Sequence, residues 1–155
     1  MEEHLCPTEG LVIVKLNVKH LDELAELEKE CFSTPWSYDS LANELMNPLS
    51  VFYVAQVFGQ VAGYISMNVI SYEGFINNLA VKETFRRQGI GRALVQALCT
   101  YAQGHEMEVL TLEVRPSNTA AIQLYERFGF RQEGERKNFY SNPTENGLIM
   151  TKHFE

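Results

Sequence analysis

Long apolar runs are missing from this 155-residue chain. None reaches the ~18 residues that a membrane-spanning helix needs, so the reading is a soluble protein with no membrane partner. Cysteine is sparse. Cys6, Cys31 and Cys99 are an odd number without metal-type spacing, which excludes a disulfide framework and fits a reducing compartment. Positive charge is also short: 13 Lys and Arg face 20 Asp and Glu, a formal charge of −7. That balance argues against direct nucleic-acid binding and suits a basic peptide or amine-bearing partner. The start Met1-Glu2-Glu3 is acidic, and no basic region leads into an apolar segment, so the expectation is cytoplasmic. His4, His20, His105 and His153 lack metal-ligand spacing; they read as exposed polar residues, and no metal is expected.

What is present suits one globular core: 45% hydrophobic and 21% charged residues. Residues 1–10 read as a flexible tail and 11–155 as a single domain. Leu11 to Leu16 reads as a strand. Val18 to Phe32 reads as a helix, with Leu21, Leu24, Cys31 and Phe32 toward the core and the acidic residues mostly toward water. Thr34-Pro35 breaks it. Ser37 is placed to cap a second helix, Tyr38 to Met46. Ser50 to Val57 and Val61 to Val69 flank Phe58-Gly59-Gln60 and read as a hairpin. Phe75 to Val81 follows as a strand. Ile90 to Tyr101 carries an apolar stripe of Ile90, Ala93, Leu94, Ala97, Leu98 and Tyr101. Val109 to Val114 is the next strand, and strand–helix–strand order implies a right-handed crossover and a parallel pair. A further helix is capped by Ser117 or Asn118, carries Ala121, Leu124, Tyr125 and Phe128, and ends at Gly129. Phe130 to Arg136 and Leu148 to Lys152 are late strands. The sum is an α/β (α+β) mixed sheet, antiparallel early and parallel in the middle.

The junction Arg86-Arg87-Gln88-Gly89-Ile90-Gly91-Arg92 joins a strand to the most periodic helix. A helix N-terminus offers unpaired amides and partial positive charge, which together make an anion site. Gly89 and Gly91 leave room for close backbone approach and permit positive φ. The arginines add attraction for phosphate. No Gly-Lys-Ser/Thr follows, so this is not a Walker loop, and the third glycine of a dinucleotide fingerprint is missing. On spacing alone, a tight turn with a solvated basic cluster is an equal reading.

The junction follows Asn78-Leu79-Ala80-Val81 and continues into Ala93-Leu94. In that setting it resembles motif A of the GNAT N-acetyltransferases. Leu112-Glu113-Val114-Arg115-Pro116-Ser117-Asn118 and the segment Ala120 to Phe130 extend the match, as do Pro35-Trp36-Ser37 and Asn138-Phe139-Tyr140. The resemblance covers most of residues 11–152, and these segments resemble the bacterial ribosomal-protein-alanine N-acetyltransferase branch. It implies a GNAT-like fold, a twisted mixed sheet flanked by about four helices. It also implies acetyl transfer from acetyl-CoA, used as co-substrate without a metal, to the N-terminal alanine of a small-subunit ribosomal protein. In this family the pantetheine arm lies along the strand before the loop, which assigns Leu79, Ala80 and Val81. The pyrophosphate sits on Arg87, Gln88, Gly89, Ile90, Gly91 and Arg92, and Asn118 matches a further cofactor contact. Glu113 matches the general base and Tyr125 the general acid. Phe139 departs from the family's more usual tyrosine.

The chemistry accommodates these assignments. An α-amino group has a pKa of about 7.7–8.0 against about 10.4 for lysine, so a carboxylate, directly or through water, suffices to deprotonate it. Glu113 alternates with Leu112 and Val114; without the resemblance it reads as a solvent-facing residue or a partner of Arg115. Tyr125 shares its helix stripe with Ala121 and Phe128, so packing is its plain role; a packed ring also fixes a hydroxyl that protonates the CoA thiolate. The Val81 amide is the candidate donor to the thioester oxygen. Cys99 and Cys31 have neither an adjacent histidine nor a helix N-terminus to activate them, which favours direct attack in a ternary complex over an acyl-cysteine. Trp36 and Tyr140 are the candidate walls of the acceptor groove, or amphipathic packing residues. The Glu-rich stretch from Asp22 to Glu30 is a solvated face or a lure for a basic substrate. Two other functions stay open: acetylation of a small amine such as a polyamine or antibiotic, and a non-catalytic acyl-CoA-binding module. A monomer or weak homodimer is expected.

Overall fold

A computed structural model describes residues 9–154. Most of the expected tail, with His4 and Cys6, lies outside them. Seven strands form one sheet: β1 Leu11–Lys15, β2 Ser50–Val57, β3 Gln60–Ile70, β4 Glu73–Val81, β5 Val109–Val114, β6 Arg131–Tyr140 and β7 Glu145–His153, in spatial order β1-β2-β3-β4-β5-β7-β6. Four α-helices accompany them: α1 Leu21–Cys31, α2 Tyr38–Glu44, α3 Ile90–Gly104 and α4 Thr119–Arg127. Only the β4–β5 ladder is parallel, and its connection is α3, as a crossover demands.

The helices divide the core. One side packs Leu94, Leu98 and Ala102 of α3 and Tyr125 of α4 against Ile65, Leu110 and Leu112. The other packs Leu21, Leu24 and Leu27 of α1 and Leu41 of α2 against Phe52, Val54 and Tyr64. The buried face of α3 is turned from the expected stripe: Val95, Cys99 and Ala102 are buried, whereas Ala93, Ala97 and Tyr101 are half-exposed. A helix wedged between a sheet and α4 buries a wider arc than a single stripe.

The first helix corrects the sequence reading in two ways. Residues Val18–His20 form a separate 3-10 turn rather than the start of α1. Asn17 Oδ1 accepts from the Lys19 amide at 3.1 Å, and His20 Nδ1 accepts from the Asn17 amide at 2.9 Å. This capping exchange draws His20 inward to 2% exposure, so it is not an exposed polar residue. Glu28 departs from the acidic face in the same manner: it is 1% exposed. Its Oε1 accepts from the Trp36 amide at 2.7 Å, and its Oε2 takes a short hydrogen bond from the Tyr64 hydroxyl.

The parallel pair opens almost as soon as it forms. Only Glu73, Gly74 and Phe75 of β4 pair with β5, opposite Val109, Leu110 and Thr111. On the other side of β4, Ser66 faces Asn78 and Met67 faces Ile76, which leaves Asn77 as an extra residue. Such a bulge bends its strand and increases the local twist. The C-terminal half of β4 therefore leaves β5, which stays paired with β7 as far as Val114 opposite Leu148. The gap between the two strands opens a cleft at the end of the sheet.

Candidate active site

From Val81 the chain passes through a 3-10 turn, Glu83–Phe85, into the glycine loop. Arg86 Nε donates to the Val81 carbonyl at 3.0 Å and Gln88 Nε2 to the Thr84 carbonyl at 3.3 Å, tying the loop to the strand end. Arg87 (φ 65°) and Gly89 (φ 84°) take left-handed backbone. Gly89 is the N-cap of α3 and supplies no side-chain cap, so the first amides of a 15-residue helix point out of the loop without one. Gly91 has a packing role as well. It lies inside α3, where a Cβ would come within 3.1 Å of Leu124 Cδ2. Its missing side chain lets α4 approach α3.

These elements enclose a cleft of about 900 Å³, lined by Leu79, Ala80 and Val81 of β4, by Arg87, Gly89, Ile90, Gly91 and Arg92, and by Asn118. Gln88 is the one cofactor candidate outside the lining, its side chain turned back to Thr84. Asn118 caps α4, accepting from the Ala121 amide at 3.2 Å. Sequence reading missed Phe32, Phe85 and Arg127, which also line the cleft; they come from separate elements, and no spacing links them. The cleft suits a polyanion with an apolar arm. Its lining combines Arg86, Arg87, Arg92 and Arg127 with the apolar Leu79, Ala80, Val81 and Phe32.

Cys31 also lines the cleft, with its Sγ 3.6 Å from Arg86 Nη2 and 3.8 Å from the Val81 oxygen. Burial pushes its thiol pKa up despite Arg86, and burial does the same at Cys99. Neither is set up as a thiolate.

Beyond the cleft, Leu112 and Val114 of β5 are buried on the α3 side, and Glu113 points to the other. Its carboxylate forms an ion pair with Arg136 of β6, although no well-aligned hydrogen bond reaches Glu113 Oε2. The expected alternative partner, Arg115, is engaged elsewhere, 3.1 Å from Glu145 of β7. Tyr125 is buried, edge-on to Phe130 with ring centres 5.3 Å apart. Burial, helped by Tyr140, holds its phenol well above the usual value. Tyr140 is pushed up to about 12, first by burial and then by the charge of Glu113, with Arg115 opposing. Tyr140 thus lies within electrostatic reach of Glu113 on one side and of Tyr125 on the other. Trp36 is half-buried against the α1–α2 core and held through its amide by Glu28. Among the described residues, no group of three or more His, Cys, Asp or Glu is arranged to hold a metal ion, and no helix is long and apolar enough to cross a membrane.

Known proteins share the sequence pattern and the fold. A profile described as the acetyltransferase (GNAT) family matches residues 21–130. The chain is 34% identical over 136 residues to a putative [ribosomal protein bS18]-alanine N-acetyltransferase of Bacillus subtilis, covering 87% of this chain and 90% of that one. It is also 34% identical over 140 residues to the [ribosomal protein bS18]-alanine N-acetyltransferase of Escherichia coli K12, covering 89% and 94%. Among solved structures, the ribosomal-protein-S18-alanine N-acetyltransferase of Escherichia coli superposes with a TM-score of 0.85 at 30% identity, over 92% of this chain and 93% of that one. Ard1 of Thermoplasma volcanium superposes with a TM-score of 0.86 at 26% identity, over 94% and 99%. The chain therefore belongs to the GNAT family and is an acetyl-CoA-dependent N-acetyltransferase.

Proposed function

We propose that this enzyme acetylates the α-amino group of an N-terminal alanine on a small-subunit ribosomal protein, in the cytoplasm, by direct attack within a ternary complex. The observation that supports the reading is Glu113 on the stretch of β5 that β4 no longer pairs, with Tyr140 in electrostatic reach of it and of Tyr125. The names of the 34%-identical relatives point to the same acceptor.

Acetyl-CoA supplies the activated acetyl group. Leu79, Ala80 and Val81 bind its pantetheine arm; Arg87, Gln88, Gly89, Ile90, Gly91 and Arg92 hold its pyrophosphate, with Asn118 at the next crossover. The Val81 amide donates to the thioester oxygen as charge grows there. Trp36 and Tyr140 wall the groove that admits the peptide N-terminus. Glu113 accepts the proton of the incoming amine, directly or through water, and Arg136 gives way as that amine arrives. Tyr125 donates its phenolic proton to the departing thiolate. Its raised pKa keeps that proton in place until the thiolate departs.

The test is acceptor choice. The protein is incubated with acetyl-CoA and peptides beginning Ala-Arg, Met-Leu or Ser-Glu, or with spermidine, and free thiol release is followed. Fastest turnover is expected on the Ala-Arg peptide. Turnover on spermidine and on no peptide would sink the reading in favour of a small-amine acetyltransferase.

A further inference from the structure

Arg115 is the most heavily engaged arginine near the site, and the acetyl-transfer chemistry makes no use of it. It leaves the end of β5 two residues after Glu113. Its Nη1 donates to the Pro143 carbonyl at 2.8 Å and to Glu145 Oε1 at 3.1 Å, and its Nη2 donates to the Ser141 carbonyl at 2.9 Å. Its guanidinium also lies over the Tyr140 ring, 4.5 Å from the centroid. Glu145 is held in turn by the Ser117 hydroxyl at 2.8 Å. One planar fork thus binds two loop carbonyls, a carboxylate and an aromatic face.

The sheet holds the segment that Arg115 grips only in part, with the Asn138 amide donating to Asn146 Oδ1 at 2.9 Å across a gap in the ladder. The β6–β7 ladder is interrupted between Arg136, opposite Gly147, and Tyr140, opposite Glu145. Asn138 within that gap takes a left-handed backbone (φ 53°). Tyr140 therefore stands at the end of a broken ladder, and Arg115 supplies the missing attachment to β5. A lysine cannot do the same: an ammonium has no planar fork to serve two diverging carbonyls and stack on a ring at once.

We propose that Arg115 is a positioning residue for the acceptor. It clamps the Ser141–Glu145 turn and the Tyr140 ring against β5, so that the peptide-side wall is preformed next to Glu113. The clamp selects a narrow acceptor, a peptide N-terminus, by keeping that wall from retreating. This rests on the reading above that Tyr140 borders the acceptor groove.

Arg115→Ala and Arg115→Lys test it, read in three ways. Hydrogen–deuterium exchange of residues 138–146 in the free enzyme needs no acceptor, and both variants should exchange about tenfold faster or more there. With the Ala-Arg peptide, KM should rise about tenfold or more in both, since a displacement near 1 Å costs that much. The acetyl-CoA Kd and the exchange of α3 should stay at wild-type values. Unchanged exchange at 138–146 in Arg115→Ala overturns the clamp whatever the acceptor proves to be. Full rescue by lysine overturns the fork argument. A parallel loss of acetyl-CoA affinity overturns the positioning role in favour of a general structural one. If the wild type turns over spermidine and no peptide, the functional reading fails while the exchange arm still decides the clamp.

Discussion

A buried phenol edge-on to Phe130, as at Tyr125, is a weak acid. Burial raises the Tyr125 pKa, so its proton stays in place across the range in which an α-amine becomes neutral. Two outcomes follow at the scale of single residues. Glu113→Gln and Tyr125→Phe should each lower kcat by about 10²–10⁴-fold, with the acetyl-CoA Kd unchanged; wild-type turnover in both would remove their roles. The loss should not come from unfolding. The Glu113–Arg136 pair involves an arginine side chain that is 62% exposed, and such pairs contribute under about 1 kcal/mol. The pH profile of kcat/KM should rise as the amine deprotonates and show no fall below about pH 10, because Tyr125 has not ionised there.

At the scale of elements, the α1–α2 connection depends on Glu28. Its carboxyl holds the Trp36 amide on one oxygen and the Tyr64 hydroxyl on the other, and Tyr64 is itself stacked on Phe52 at 4.9 Å. Glu28→Ala leaves both donors without a partner, which should cost about 2–4 kcal/mol in urea unfolding. A companion Tyr64→Phe change should recover part of that cost, since one of the stranded donors is removed. There is also a pH signature. Burial raises the Glu28 pKa above its ordinary 4.5, so the folded protein binds this proton more tightly than the unfolded chain does. The resulting stability is fully present below that ordinary value and is lost as pH rises through the raised one. The wild-type stability relative to Glu28→Gln should therefore fall with rising pH over that window. A flat difference would show that the carboxyl titrates normally.

The whole molecule is a sheet whose parallel pair, β4 and β5, parts at one end, and the proposed acetyl-CoA cleft lies along β4. Binding there stabilises the fold by mass action. Acetyl-CoA at a hundredfold excess over its Kd should add about 2.7 kcal/mol and raise Tm by roughly 5–10 °C in a chain of this size. Differential scanning calorimetry with and without acetyl-CoA checks this, and no shift at saturating ligand would contradict the assigned cleft. The acidic net charge of −7 makes acceptor capture salt-dependent when the acceptor is basic, as charge steering requires.

Local pattern alone carried much of the architecture. The strand–glycine loop–helix unit, the parallel pair, the hairpin around Phe58-Gly59 and the cap at Asn118 all rest on periodicity and turn chemistry within a few residues, and such signals need no distant partner. Most of the cofactor candidates line one cleft because one loop carries them. What the tertiary structure decided lies where separate elements meet. The Asn77 bulge that opens β4 from β5 is a matter of register against β3, and no local residue announces it. Glu28 and His20 looked like surface residues until Tyr64, Trp36 and Asn17 supplied them with buried partners. Arg115 and Glu113 are two residues apart on one strand, yet they pair with Glu145 and Arg136 on different strands. Side chains on one face of a strand end choose partners by proximity in space, and that choice exists only once β6 and β7 have been laid beside β5.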